Sequence, residues 1–316
     1  MTAAVAAIDG GNSKTDVLLI AENGEVLGRA RGGGSCYQTV GLDRTIEVVG
    51  ELLAEAAGGV QPPYAKHVYA CMAGADLPRE EQLLTEVLGG WSDRITVTND
   101  TFALLRAGTQ DGVGVAVVCG AGVNAVGVAP DGRTHRFPAI GQLAGDWGGG
   151  GFLGREIFWW AIRAEDGRGP ATSLRDAVIE HFGVRTVTEA MEQLHFGERP
   201  TSALHGLVPL LYREAGAGDP VSVRLTDQQA DEITVMATVT LRELNLLAEP
   251  VKVLLGGGVV TGMPGPFLAD VERRIHGMAP KVTIELVAAP PVIGAALLGL
   301  DALGLTTPEV ETRLRS

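Results

Sequence analysis

The feature that most constrains the fold is a strand–turn–strand pattern that occurs twice in the chain. In the first copy an apolar stretch ends at Asp9, the turn GGNSK follows, and the apolar residues 17–20 come next. In the second copy the turn GAG separates the apolar residues 115–119 from residues 123–129. Each copy continues through an Asn-Gly or Asp-Gly turn, which is typical of β-hairpins. The repeat predicts an internal duplication, with one three-stranded meander and one lobe for each copy.

Helical patterns occupy much of the chain outside the meanders. Apolar residues recur at helical spacing from Asp43, and the pattern ends at Gly58, which predicts an amphipathic helix with a glycine C-cap. Two capping-box patterns, at Thr186–Glu189 and Thr226–Gln229, predict that helices begin at these positions.

The order of these patterns suggests a division of the chain into lobes. We expect an N-terminal lobe of residues 1–112, completed by the C-terminal helix 302–316. Residues 113–301 are expected to form the second lobe, with a helical insertion around residues 155–250.

Composition narrows the class of protein. With 316 residues, 46% of them hydrophobic, and 44 glycines, the chain is long enough for an enzyme of two lobes. Its formal net charge of −13 disfavours a nucleic acid or an anionic membrane as the main partner. The sequence has no apolar run near the about 18 residues of a membrane span and no signal-peptide pattern, so we expect a cytoplasmic protein. Cysteines 36, 71 and 119 are unclustered, which argues against a disulfide framework or a local metal site.

The two glycine turns contain the residue types that bind phosphate. Gly10 and Gly11 allow the backbone to approach an anion closely, and the polar residues 12–15 supply hydrogen-bond donors. Asp9, at the end of a strand, is placed to hold Mg²⁺ through water. A Walker A loop would lead into a helix, whereas a strand follows here. Either turn alone is compatible with an ordinary hairpin, but two such hairpins facing each other would hold a polyphosphate from both sides.

Motifs along the whole chain resemble the superfamily that contains actin, the hexokinases and the heat-shock chaperone ATPases. IDGGNSKTD is similar to its first phosphate motif, VVCGAGVNAVGV to the second, VLLGGGVV to the adenosine motif and PPVIGAALLGL to the second connecting helix. The resemblance implies a duplicated, ribonuclease H-like, two-lobe α/β fold of the actin/hexokinase type, with ATP and Mg²⁺ in a cleft between the lobes. The ATP-binding residues that it implies are Gly10, Gly11, Asn12, Ser13, Lys14, Thr15, Gly120, Ala121, Gly122, Gly256, Gly257 and Gly258.

Two further motifs resemble a narrower family within this superfamily. TNDTFALL and GQLAGDWGGGGFLG are similar to segments of the N-acetylglucosamine kinases, the glucosamine kinases and the activator ATPases of benzoyl-CoA and hydroxyacyl-CoA enzymes. The resemblance implies that Asp100 is the general base for a sugar hydroxyl, which is suitable chemistry for a carboxylate at a strand end. A helix cap is the alternative for an isolated Asn-Asp pair. The implied substrate-binding residues are Ser35, Cys36, Gly74, Asn99, Asp100, Asn124, Gln142 and Asp146.

The sugar itself is predicted from departures from the family pattern. N-acetylglucosamine kinases tend to have an asparagine after the third strand and an aromatic residue before the GD motif, where this chain has Cys36 and Ile140. These departures argue against an acetamido pocket, and GQLAGDWGGGGFLG looks most like the actinobacterial glucosamine kinases. We therefore expect that the protein phosphorylates the 6-hydroxyl of glucosamine with ATP. A homodimer is a separate expectation. The alternatives are an N-acetylglucosamine kinase and an activator ATPase for a 2-hydroxyacyl-CoA dehydratase-type partner, which would need cysteines to ligate an iron–sulfur cluster.

Overall fold

The computed structural model describes residues 3–316, which form two five-stranded sheets with helices packed around them. The strands of the first sheet are β1 (Ala3–Gly10), β2 (Lys14–Ile20), β3 (Val26–Gly33), β4 (Ala65–Met72) and β5 (Ile95–Asn99). The strands of the second sheet are β6 (Gly114–Cys119), β7 (Val123–Val128), β8 (Thr134–Arg136), β9 (Lys252–Gly256) and β10 (Thr283–Leu286).

The two sheets have the same topology. The first has the spatial order β3-β2-β1-β4-β5, and the second has the order β8-β7-β6-β9-β10. In each sheet the first three strands pair antiparallel, and the last two run parallel to the first strand. The duplication predicted from the two glycine turns is therefore confirmed, together with both meanders.

Helices connect and cover the strands of both sheets. Those in the first half of the chain are α1 (Tyr37–Val40), α2 (Leu42–Ala56), α3 (Pro78–Val87) and α4 (Asp100–Gly108). Those after β8 are α5 (Gly149–Glu165), α6 (Leu174–Phe182), α7 (Val187–His195), α8 (Val208–Gly216), α9 (Pro220–Glu243), α10 (Gly258–Thr261), α11 (Gly265–Met278), α12 (Pro291–Asp301) and α13 (Pro308–Arg315). Within residues 3–316, none of the helices combines the length and the apolar character that crossing a membrane requires.

The helix ends test three of the predicted signals. The helix predicted from Asp43 is α2, and Gly58, two residues after it, has a left-handed φ of +66°. Thr186 caps α7 by accepting a hydrogen bond from the Glu189 amide, as predicted. The prediction that a helix begins at Thr226 is wrong, because this residue lies inside α9. Its hydroxyl donates to a carbonyl of the preceding turn, and the true cap of α9 is Asp219.

Helices α4 and α12 lie between the two sheets and cross each other. The α4 residues Leu104 and Leu105 pack into an apolar cluster with β6, β7 and β9 of the second sheet. The α12 residues Ala295 and Ala296 pack with β1 and β2 of the first sheet. Each helix therefore follows one sheet and packs on the other, so that the two lobes are joined by apolar contacts.

The position of α12 bears on the predicted lobe boundary. Residues 113–301 were assigned to the second lobe, yet α12 packs on the first sheet, in the same apolar cluster as Val310 and Leu314 of α13. The physical reason is that α12 is apolar around most of its circumference, which suits a helix enclosed between a sheet and α4. The lobe division at residue 112 remains a prediction.

The crossing of α4 and α12 depends on one glycine. A Cβ atom at Gly294 would lie 1.9 Å from the carbonyl oxygen of Ala103. We predict that Gly294→Ala lowers the free energy of unfolding by about 1–3 kcal/mol, because the two helices would be forced apart. The matched control is Gly277→Ala on the exposed face of α11, where a Cβ would contact nothing within 4 Å.

Urea denaturation of both variants measures this effect. The control is expected to keep or slightly increase stability, by up to about 1 kcal/mol, because alanine is the better helix former. Equal stability of the two variants would contradict the close crossing.

Candidate active site

Three glycine-rich segments meet at the end of β6. They are the turn at residues 120–122, the segment 148–151 that begins α5, and the segment 256–258 that leads from the end of β9 to the start of α10. The amide of Gly150 donates to the Gly120 carbonyl at 2.7 Å, which ties the first two segments together. Gly257 has φ +92°, and a Cβ there would lie 2.5 Å from the carbonyl oxygen of Cys119. The close approach of these backbones explains why glycine recurs in all three segments.

A cavity of about 330 Å³ opens beside these segments. Its wall includes Ser13 from the first glycine hairpin, Gly120 and Ala121 from the second, and Gly258. The structure thus brings predicted ATP-binding residues from both lobes to one cavity. The rest of the wall was not predicted from the sequence and consists of Gly150, His205, Val208, Pro209, Tyr212, Val259 and Gly262.

Only part of this additional wall had a signal in the sequence. Four consecutive glycines, 148–151, form the cap and the first turn of α5, and such a helix N-terminus is suited to binding an anion. In contrast, His205 and Tyr212 lie in a region of ordinary amphipathic helices, so their position at the cavity depends on the tertiary packing.

The first hairpin rests on the loop that follows β3. The amide of Ser35 donates to the Gly11 carbonyl at 3.0 Å, and the Thr15 hydroxyl donates to the Ser35 hydroxyl at 2.8 Å. Thr15 and Ser35 are both fully buried, and the Lys14 ammonium lies 3.2 Å from the Asp16 carboxylate. Ser35, predicted to bind substrate, and Thr15, predicted to bind ATP, therefore support the hairpin from within.

Asp9 and Asp100 lie at the same edge of the first sheet. Strands β1, β4 and β5 are parallel, so their carboxyl ends meet where α/β sheets bind ligands. Burial raises the pKa of Asp9 to about 7, and the negative charges of Asp100 and Asp16 add to this effect. Burial also raises the pKa of Asp100 to about 6, against the lowering effect of the Thr101 backbone hydrogen bond. Two carboxylates at this edge thus bind protons more tightly than usual.

The surroundings of Asp9 fit a bound divalent cation. Asp9 is 8% exposed, and its carboxylate is close enough to Asp100 and Asp16 for their charges to raise its pKa, so a cation there would relieve repulsion. Within residues 3–316 there is no group of three or more His, Cys, Asp or Glu side chains that could hold a metal by themselves. Mg²⁺ usually binds through one or two carboxylates together with waters and substrate phosphates. Asp9 would supply the protein ligand in such a site.

Asn99 connects Asp100 to both lobes. Its side-chain oxygen accepts hydrogen bonds from the Thr101 amide at 3.0 Å and from Asn124 Nδ2 at 3.2 Å. Asn99 is therefore the side-chain cap of α4, and Asp100 is the first residue of that helix. The side-chain oxygen of Asn124 is buried and has no hydrogen-bond partner among residues 3–316, so it is available to a ligand.

Asp76 is a buried carboxylate that sequence reasoning missed. It is 7% exposed, and its Oδ1 atom accepts a hydrogen bond from Asn99 Nδ2 at 2.8 Å. Burial raises the pKa of Asp76 to about 7, with further contributions from the charges of Asp100 and Glu80. Its signal in the sequence was its place in the loop that follows β4, at the same sheet edge as Asp9.

Cys36 and Gly74 are neighbours beside this network. Gly74 has φ +86°, and a Cβ there would lie 3.1 Å from the Cys36 sulfur. Cys36 is 2% exposed, and burial raises the pKa of its thiol. The two predicted substrate-binding positions therefore come together, with the thiol in its neutral form.

Asp146 and Gln142 line a second cavity, of about 250 Å³, with Ala121 and Gly122 of the second hairpin. The Asp146 side chain accepts a hydrogen bond from the Gly141 amide at 2.8 Å, and burial raises the pKa of its carboxyl group. Arg155 lies on the same cavity wall, but Asp146 forms no salt bridge within residues 3–316. The Asp146 carboxylate is therefore open to a cationic ligand.

Comparisons with known proteins agree with this architecture. The model of the BadF/BadG/BcrA/BcrD ATPase family matches residues 7–299. The N-acetyl-D-glucosamine kinase of Dictyostelium discoideum is 27% identical over 313 residues, covering 93% of this chain and 97% of that protein. A glucosamine kinase of Vibrio cholerae is 23% identical over 235 residues, covering 72% of this chain and 76% of that protein.

Solved structures support the fold prediction. A Chromobacterium violaceum protein superposes with a TM-score of 0.71 at 23% identity, covering 94% of this chain and 99% of that chain. The ROK hexokinase of Thermus thermophilus superposes with a TM-score of 0.57 at 18% identity, covering 95% and 99%. The two-lobe α/β fold of the actin/hexokinase type is thereby confirmed.

The raised pKa of Asp9 has a consequence for stability. At pH values between the ordinary pKa of an aspartate and about 7, Asp9 keeps its proton in the folded protein and loses it in the unfolded chain. The stability that this proton contributes is therefore present at low pH and is lost as the pH rises through about 7. We predict that Asp9→Asn is more stable than the wild type at pH 8 by more than about 1 kcal/mol, since one pKa unit corresponds to about 1.4 kcal/mol.

Urea denaturation at pH 4.5 and pH 8, without nucleotide or metal, measures the difference. The advantage of Asp9→Asn is expected to shrink towards the lower pH. Asp93→Asn, which alters an exposed aspartate, is the control and is expected to show no such trend. A pH-independent difference between Asp9→Asn and the wild type would contradict the raised pKa.

Proposed function

Because this chain belongs to the BadF/BadG/BcrA/BcrD ATPase family, we propose that it is an ATP-dependent sugar kinase that phosphorylates the 6-hydroxyl of glucosamine. The observation that supports this most strongly is the position of Asp100. Its carboxylate lies at the ligand-binding edge of the first sheet and has a raised pKa, while the N-cap of α4 is the neighbouring Asn99. The named amino-sugar kinases among the relatives support the same class of reaction.

Asp100 is the general base of the proposed reaction. It accepts the proton of the sugar hydroxyl while the hydroxyl oxygen forms a bond to the γ-phosphorus of ATP. The bond between that phosphorus and the oxygen of ADP breaks, and the products are the sugar phosphate and ADP. A base with a pKa of about 6 is deprotonated at neutral pH and still accepts a proton readily.

The glycine segments bind the nucleotide in this proposal. The hairpins at residues 10–15 and 120–122 offer backbone and side-chain donors to the phosphates from the two lobes. The segment 256–258, together with the apolar wall of the 330 Å³ cavity, takes the adenosine. Mg²⁺, when bound through Asp9 and the phosphates, would neutralise the charge that develops on the phosphate oxygens.

The preference for an amine depends on Cys36 and Asp146. The resemblance to the N-acetylglucosamine kinases aligns Cys36 with their asparagine, and its neutral buried thiol is a poor substitute for an amide. Asp146 offers a carboxylate without a salt bridge, and an amine of ordinary pKa is largely protonated near pH 7. The ammonium group of glucosamine is therefore the proposed partner of Asp146, with Gln142 on the same cavity wall.

N-acetylglucosamine is the second candidate substrate. The relative from Dictyostelium discoideum, which is named for this sugar, aligns with 93% of the chain, more than the glucosamine kinase does. The activator ATPase has less support, because Cys36, Cys71 and Cys119 are buried in three separate segments and are poorly placed to ligate one cluster. Similarity to actinobacterial enzymes, the cytoplasmic location and the homodimer remain predictions.

Replacing the proposed base tests the catalytic assignment. We predict that Asp100→Asn lowers kcat by about two to four orders of magnitude while nucleotide affinity stays nearly unchanged. The fall in wild-type kcat/KM on the acid side is expected near pH 6, because Asp100 must lose its proton to act. Steady-state kinetics with ATP and glucosamine measure both effects. Asp93→Asn is the control, and a fully active Asp100→Asn would refute the assignment.

The sugar preference is tested by a second substitution. We predict that Asp146→Asn reduces kcat/KM for glucosamine about ten- to hundredfold more than for glucose, since a charge-assisted hydrogen bond contributes roughly 1.5–3 kcal/mol. Asp131→Asn, in an exposed turn of the same lobe, is the control. Kinetics with glucosamine, glucose and N-acetylglucosamine decide the substrate. Faster turnover of N-acetylglucosamine by the wild type would overturn the preference and leave the role of Asp100 intact.

A further inference from the structure

Two side chains of the second meander reach across to the first lobe. Asn124 on β7 donates to Asn99, as described above, and Arg136 on β8 donates from its NH1 nitrogen to the Ala75 carbonyl at 3.1 Å. The same nitrogen lies 3.0 Å from the Glu81 carboxylate on α3. Arg136 therefore binds a backbone oxygen and a carboxylate of the other lobe at once.

The pairing of β7 and β8 places these two side chains on one face. Arg136 lies directly opposite Val126, which is two residues from Asn124 on β7. Because alternate residues of a strand point to the same face of a sheet, Asn124 and Arg136 both point towards the first lobe.

The contacts of Arg136 end on the loop that supports Asp100. Ala75 is followed by Asp76, whose carboxylate binds the side chain of Asn99. Asn99 is covalently joined to Asp100 and caps the helix that Asp100 begins. A short sequence of contacts thus leads from the second lobe, through the loop at residues 74–76, to the proposed base.

The other side of this loop is held by the first lobe alone. The Glu80 carboxylate accepts the amides of Asp76 at 3.0 Å and Leu77 at 2.8 Å, and Gln38 donates to Asp76 at 3.2 Å. These contacts do not depend on the second lobe. In contrast, the Ala75 carbonyl is bound by Arg136, so that its position depends on β8 of the second lobe.

We propose that Arg136 is a positioning residue, which fixes the loop at residues 74–76 and thereby orients Asp100 when the lobes are closed. The inference rests on the proposed function in taking Asp100 as the base. Separation of the lobes breaks the Arg136 contacts, so the base is held in its working orientation only when both lobes enclose the substrate. Arg136 itself touches neither the sugar nor the nucleotide in this proposal.

The test uses the full chain with Arg136→Met, which keeps most of the side-chain length and removes the charge and the donors. Kinetics are expected to show kcat reduced roughly two- to thirtyfold, a range typical of coupling through a hydrogen-bonded network, with KM for ATP unchanged. Hydrogen–deuterium exchange of the amides at residues 73–77 is expected to become faster. Arg136→Lys keeps a donor for the Ala75 carbonyl. Its kcat and its exchange at residues 73–77 are therefore expected to lie between those of Arg136→Met and the wild type.

Arg133→Met is the matched control. Arg133 is on the same meander, and its salt bridge is to Asp131 within its own turn. It is expected to leave kcat and the exchange at residues 73–77 unchanged. The inference is overturned if Arg136→Met leaves the exchange at residues 73–77 unchanged, if kcat stays at the wild-type value, or if the control has the same effects.

The exchange measurement separates this inference from the proposed function. Hydrogen–deuterium exchange can be measured without turnover. If the wild type has no sugar kinase activity, the proposed function is refuted, and so is the effect of Arg136 on catalysis. Faster exchange in Arg136→Met would still show that Arg136 holds the loop. In an active enzyme, normal exchange with reduced kcat overturns the positioning role and leaves the kinase assignment intact.

Discussion

The structure depends on the close crossing of α4 and α12 at Gly294 and Ala103. Two duplicated sheets of the same topology have no strand in common, so their relation is determined by the helices between them. Each lobe has an apolar core of its own on one face of its sheet, and the other face is covered by the helix that follows the other sheet. A displacement at the crossing therefore changes the position of both lobes, and of every residue that faces the cleft.

The same crossing fixes the place of the candidate base. Asp100 is the first residue of α4, and Asn99 joins the cap of that helix to Asn124 of the second lobe. Asp100 thus lies at the junction between β5, which belongs to the first sheet, and α4, which packs on the second sheet. The pKa of Asp100 depends on this packing, because burial is the main cause of its rise.

Much of the fold was predictable because its determinants are local. Glycine turns between apolar stretches predicted both meanders, and the spacing from Asp43 predicted α2. The Thr226 pattern failed because a capping motif does not reveal whether a helix has already begun. Asp9, Asp100 and the three glycine segments had clear signals, whereas His205 and Tyr212 reach the 330 Å³ cavity, and Asp76 reaches Asn99, through contacts distant in sequence. Ser35 and Thr15 were assigned to ligands, although their hydroxyl groups bind each other.

The glycines of the three glycine-rich segments contribute main chain, and not side chains, to the walls of the two cavities. Where these segments meet, Gly120, Gly150 and Gly258 have no side chain and present main chain to the 330 Å³ cavity. The 250 Å³ cavity shares Gly122 and Gly148 with these segments, and the side chains of Gln142, Asp146 and Arg155 complete its wall. Replacing the side chains of Gln142, Asp146 or Arg155 would change the chemistry of the smaller cavity, while the main chain of the glycine segments in both walls would keep its shape.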